Sequence, residues 1–157
     1  MSPASRRSGF TIIELLTVMI VIGLLAGIAI LRYIDLRHRA RAAEAVADLE
    51  AVRLAAYGAW YETGTWPAEI GPGMVPPALA PYLPTNFRFD KPEYTLDWEN
   101  FVPPGGGPSG GMQLGIVVIA SDPRLQRALA QTLGNKGPFV SVGGTLTFII
   151  VGADGNS

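Results

Sequence analysis

The sequence predicts an α+β protein, with a long N-terminal helix whose first half spans a membrane and whose second half packs on a small antiparallel sheet. Three observations predict it. Residues 10–31 are an unbroken apolar run with one ionisable side chain, Glu14. Residues 32–62 continue without proline and are rich in Ala, Arg, Leu and Glu, all strong helix formers. The rest of the chain is dense in Pro and Gly and ends in short β-branched stretches, which suit strands and exclude long helices.

The apolar run of 22 residues would extend roughly 33 Å as a helix, enough to cross a hydrocarbon core of about 30 Å. A cleaved secretory signal has an apolar stretch of only about 7–15 residues with a small-residue cleavage site at its far end. Here the basic leader MSPASRRSG ends in Gly9 at the near side of the run. In residues 32–62, Ala42, Val46, Leu49, Val52, Ala56 and Trp60 recur every three or four positions and form one apolar stripe that must be covered. Arg41 with Glu44, and Glu50 with Arg53, are i,i+3 pairs that support an exposed opposite face. Uninterrupted, the helix would be on the order of 80 Å long.

Composition changes at Thr63, since residues 63–111 hold ten prolines and eight glycines in 49 positions. They read as a wrapped loop and, at 102–111, a flexible connector, with a strand expected at 93–98 between them. Residues 114–120 (LGIVVIA) read as a strand and 123–133 as a short helix capped by Ser121 and ended by Gly134. Residues 145–151 (TLTFIIV) read as a last strand introduced by Gly143-Gly144. A two-layer head follows, because the helix stripe and one sheet face can bury each other.

Composition narrows the function classes. The 157 residues carry 12 Lys+Arg against 13 Asp+Glu, a net charge of −1, and residues 54–157 hold five basic and eight acidic groups. A nucleic-acid partner is therefore not expected. Cysteine is absent and His38 is the lone histidine, which removes thiolate chemistry and multi-histidine metal sites and leaves a Ser-His-Asp triad no other base. An enzyme is not predicted. The glycine-rich 103–111 segment lacks the Lys-Ser/Thr that a phosphate-cradling loop requires. No cofactor is expected; Asp154-Gly155-Asn156 is the one calcium candidate, and it supplies too few oxygens for the 6–8 that calcium takes. Trp60, Trp66 and Trp98 are assigned to the core.

The N-terminal residues carry a resemblance. Gly9-Phe10-Thr11-Ile12-Ile13-Glu14, at the near side of the apolar run, resembles the N-terminus of type IV prepilins and type II secretion pseudopilins. The family's leader ends in Gly, followed by Phe and then Glu as the fifth residue of the mature chain. Tyr57 and Gly64-Thr65-Trp66-Pro67 look like the end of that family's long helix. The resemblance implies a pilin-like fold and a division into a leader (1–9), a transmembrane and assembly helix (10–31), its amphipathic continuation (32–62) and a loop-rich head (63–157). A prepilin peptidase would cut after Gly9 and methylate the amine of Phe10. The mature chain would wait in the inner membrane, single-pass with a periplasmic head. There it would meet an assembly platform and polymerise with other pilin or pseudopilin subunits. A non-polymerising, membrane-anchored binding domain is the alternative.

The resemblance makes Gly9 and Phe10 processing residues and makes Phe10 and Glu14 assembly residues. A carboxylate in a bilayer helix costs about 2.5–3.5 kcal/mol, and a processed Phe10 amine would neutralise it. Gly23 and Gly27 form a G-x-x-x-G pattern that permits close helix packing. Leu31 stands where the family often has a proline, which implies a straighter helix. The arginine count favours a cytoplasmic C-terminal side, because Arg32, Arg37, Arg39 and Arg41, offset by Asp35, outnumber Arg6 and Arg7; the resemblance implies the reverse.

Overall fold

Nothing between Pro3 and Pro67 removes a backbone donor, and helix α1 runs unbroken from Ile12–Thr63. The computed structural model describes residues 9–101, 112–134 and 136–152; the leader up to residue 8, the 102–111 connector and Asp154-Gly155-Asn156 lie outside them. The chain divides into two units, Met1–Arg37 and His38–Ser157. In the first, every residue of the 12–31 run is exposed, so the first part of α1 has no protein core of its own.

The second unit holds the core. Its stripe on α1 is Ala42, Ala45, Leu49, Val52, Ala56 and Ala59, widened by Val46 and Ala55, all buried. The six positions step by three and four alternately, a 3.5-residue period rather than the 3.6 of a straight helix, so the buried face winds slowly around α1. That corrects the assignment of Trp60. The winding carries the stripe onto Ala59 and leaves Trp60 40% exposed, its ring stacked on Trp66 at 5.5 Å instead of entering the core.

Four strands form one antiparallel sheet: β1 (Thr95–Asn100), β2 (Met112–Ile119), β3 (Phe139–Val142) and β4 (Thr145–Gly152), in the order β1-β2-β4-β3. Across it Trp98, Ile116, Phe148 and Phe139 lie in one row, as do Leu96, Val118 and Leu146 in the next. These side chains share one hydrophobic cluster with the α1 stripe from Ala42 to Ala56. Large residues from the sheet thus meet a helix face of mostly alanines. A bulge in β4, where Leu114 and Gly115 oppose Val151 and Ile149, turns both Ile150 and Val151 inward.

The strand expected at 93–98 starts two residues later, because Lys91 N–H bonds to Tyr94 O and makes 91–94 a turn. Strand β3 was not anticipated, and it pairs with β4 through the Gly143-Gly144 turn, where Gly143 takes φ +61. Helix α2 (Pro123–Leu133) is capped by Asp122, not Ser121, since the Asp122 carboxylate accepts the Arg124 N–H at 2.8 Å. Its other oxygen lies 3.7 Å from Nε2 of His38, so the lone histidine links α1 to the start of α2. Leu125, Ala128, Leu129 and Leu133 bury the inner face of α2.

The proline-rich 64–94 segment holds the free edge of β1. Leu96 donates its N–H to Phe89 O and accepts the Gly73 N–H, each at 2.9 Å, while Trp98 Nε1 donates to Pro67 O at 2.9 Å. Both Leu96 edge groups, which would otherwise be open to another chain, are satisfied. Polar ties join the segment to α1. The Asp48 carboxylate accepts from the Tyr94 hydroxyl at 2.6 Å and from Lys91 Nζ at 3.0 Å, and Arg41 reaches Glu93 at 3.1 Å. Burial first, then the Asp48 bond, push the Tyr94 phenol above its usual range.

A chain lacking residues 1–31 should fold as a soluble monomer, checked by light scattering. In it Leu49→Ala should cost about 2–5 kcal/mol in denaturant unfolding. Trp60→Ala, which loses mainly a ring stack, should cost only about 0.5–1.5 kcal/mol; a Trp60 loss larger than that at Leu49 would put the buried stripe on the wrong residues.

Candidate processing and assembly segment

The start of α1 is built from its own sequence. Gly9 and Phe10 precede the helix and are exposed. Thr11 caps it: its Oγ1 accepts the Glu14 N–H at 3.3 Å. Glu14 reaches back, and its Oε2 accepts both the Thr11 N–H at 2.8 Å and the Thr11 hydroxyl at 2.7 Å. This reciprocal arrangement is a capping box, which satisfies orphan donors of the first turn. It also gives the Glu14 carboxylate two donors within its own chain. Acidic charge at a helix N-terminus is favourable in addition, because the backbone dipoles place partial positive charge there.

The structure brings Glu14 and Thr11 together, and it leaves Gly9 and Phe10 as a solvent-facing approach to them. Thr11 was not singled out from the sequence, although its signal, Thr-x-x-Glu ahead of an apolar run, is legible there. Thr17 folds its hydroxyl onto Ile13 O at 2.8 Å, so the next polar side chain of the run is also internally satisfied. Nothing lies within 4 Å of where a Cβ would project from Gly23 or Gly27. Four residues apart on one helix face, they leave an open notch. The helix carrying these residues is long and apolar enough to cross a membrane. Among the described residues no cluster of three His, Asp or Glu side chains could hold a metal ion.

Thr11→Ala should remove the cap and cost the helix start about 0.5–2 kcal/mol. In detergent micelles the amides of residues 12–14 should exchange faster in the variant, while those of residues 45–60 keep their protection.

Comparison with known proteins places the similarity in this same segment. The family model for the prokaryotic N-terminal methylation motif matches residues 4–30. A type IV major pilin of Neisseria gonorrhoeae is 35% identical over 72 residues, covering 46% of this chain and 34% of that protein. A fimbrial protein of Pseudomonas aeruginosa is 43% identical over 56 residues, 36% of each chain. The type IV narrow pilus major component of Thermus thermophilus is 46% identical over 50 residues, covering 32% of this chain and 43% of that protein. The chain thus spans between 34% and 43% of the length of these curated relatives. No solved structure matches significantly.

Proposed function

We propose that this type IV pilin-like chain is a structural subunit of a pilus-like filament, held in the inner membrane by residues 10–31 until it polymerises. The carrying observation is the coincidence of the methylation motif, residues 4–30, with a capped helix start that leads straight into an exposed apolar run. The relatives that share this segment are named as pilus or fimbrial components, which favours a pilus over a type II secretion pseudopilus and a structural role over an enzymatic one.

On this reading a prepilin peptidase cuts between Gly9 and Phe10. The cut converts the Phe10 amide into a cationic amine close to the Glu14 carboxylate, and a separate methyl transfer then methylates it. Helices of neighbouring subunits then approach at the Gly23 and Gly27 notch, where no side chain holds them apart. In that apolar setting an ammonium–carboxylate bond is shorter and roughly twice as strong as one between neutral groups, so it sets the register between subunits. The head lies on the periplasmic side, opposite to the arginine count, because the leader must face the peptidase. The assembly platform and other pilin subunits are the partners.

Two experiments bear on this. Coexpression with an active prepilin peptidase should remove residues 1–9 and leave N-methylated Phe10, read by intact mass; a leader retained by the wild type, or Gly9→Ala processed as well as wild type, counts against it. Glu14→Ala should still be cleaved and inserted, yet be depleted from sheared filaments and accumulate in the membrane. If it enters filaments normally, or if no crosslinks form between wild-type helices, the membrane-anchored binding domain becomes the better reading.

A further inference from the structure

Strand β1 sends Leu96 and Trp98 into the core and Thr95, Asp97 and Glu99 to its other face. Polar residues on such a face ordinarily meet water. Asp97 does not: it is only 5% exposed, and its Oδ1 has no hydrogen-bond partner. Glu99, two residues on and on the same face, is partly buried, and Glu69 of the 64–94 segment bonds to it. The residues opposite Asp97 and Glu99 on β2 are Val117 and Gly115, neither titratable. Among the described residues no ion pair includes Glu69, Asp97 or Glu99. Three carboxylates therefore face one another without a cation, where full ionisation would set like charges together in a half-dry site. The Trp98 N–H already bonds to the Asp97 carboxylate, and a neighbouring carboxyl that keeps its proton supplies the donor that Oδ1 lacks.

We propose that Glu99 keeps its proton in weakly acidic solution, donates to Asp97, and thereby holds Glu69 and the 64–94 segment against the edge of β1, releasing them as pH rises through neutrality. The bonds around the cluster agree with this direction of donation. Burial first, then the charges of Glu69 and Asp97, push Glu99 up to about 7, while Asp97, raised by burial, is drawn back down by its bond from Glu99. The segment is anchored on both sides of Glu69, through Pro67 O to Trp98 Nε1 and through the Gly73 N–H to Leu96 O. A carboxyl whose folded value lies above its ordinary 4.5 contributes stability that is complete below that value and is lost as pH rises through about 7. Alkaline pH therefore loosens the segment, opposite to the usual behaviour of a salt-bridged acid.

The test uses the whole chain in detergent micelles, with thermal unfolding and hydrogen exchange of the Gly73 amide measured from pH 6 to 8. In the wild type the unfolding midpoint should fall across this range. Gly73 protection, corrected for intrinsic exchange, should drop about fivefold from pH 6 to 7 and level off above that. Glu99→Gln, which keeps a neutral donor to Asp97, should fold and abolish both slopes, and Glu69→Gln should shrink them. Flat wild-type profiles would overturn the proposal, as would slopes that survive in Glu99→Gln. So would recovery of wild-type protection at pH 8 on adding millimolar calcium, because the cluster would then be taking a cation and not a proton.

Discussion

The head depends on how one face of α1 meets the sheet. Five of the eight buried helix positions are alanines, Ala42, Ala45, Ala55, Ala56 and Ala59, and they bring little apolar area of their own. The bulk comes from the sheet and the segment beside it, where Trp98, Phe148, Phe89 and several Leu and Ile side chains are fully buried. Small residues facing large ones let the two layers fill the space between them without voids. The same choice explains the registers around it. Trp98 can be fully buried without an orphaned donor only if its indole N–H finds a partner, and Pro67 O supplies it. That bond in turn brings the proline-rich segment onto the β1 edge.

From this constraint the treatment of the two sheet edges follows differently. The β1 edge is occupied by the chain itself, through Gly73 and Phe89. Gly73 sits there at φ +77, with Thr95 Cγ2 just 3.4 Å from where a Cβ would stand. A side chain at that point would be strained in its backbone and crowded by β1. The β3 edge is instead kept short, four residues, with Val140 and Val142 exposed. One edge thus depends on a long segment staying in place, and the fold invests both backbone bonds and the Asp48, Tyr94 and Lys91 ties in keeping it there.

How much of this was legible in the sequence varies with the physics involved. The long helix, the strand at 145–151 and the short helix at 123–133 were readable, because a missing proline, a β-branched run and a Pro-to-Gly frame are local signals. The β3 strand was not: Phe-Val-Ser-Val is too short to show a period, and only pairing with β4 makes it a strand. Trp60 was misplaced because a 3.6-residue stripe and a 3.5-residue one diverge by about a seventh of a turn over eighteen residues, and the sheet decides between them. Asp97 and Glu99 looked like the wet side of an alternating strand; their burial depends on a segment that crosses the edge, which no spacing within TLDWEN records. At the start of α1 the motif spacing singled out Gly9, Phe10 and Glu14, while the role of Thr11 needed geometry, since a threonine beside a glutamate three residues on is common in any helix start.

That geometry changes how Glu14 is to be understood. An acid in a bilayer helix costs about 2.5–3.5 kcal/mol, and a hydrogen bond to a charged group returns about 1.5–3 kcal/mol. With both a backbone N–H and a hydroxyl of Thr11 donating to it, Glu14 is tolerable in a solitary helix before any partner arrives. Its presence alone therefore does not require a filament. What the filament reading adds is a competitor, because the Phe10 amine freed by cleavage is charged and Thr11's hydroxyl is not. In an apolar site the charged donor outranks the neutral one, so Glu14 can leave its cap for a neighbour without a stage at which it is bare. On the filament reading Thr11 sets the threshold for that exchange, tight enough to shelter the acid while the subunit waits and weak enough to yield when an ammonium comes within reach.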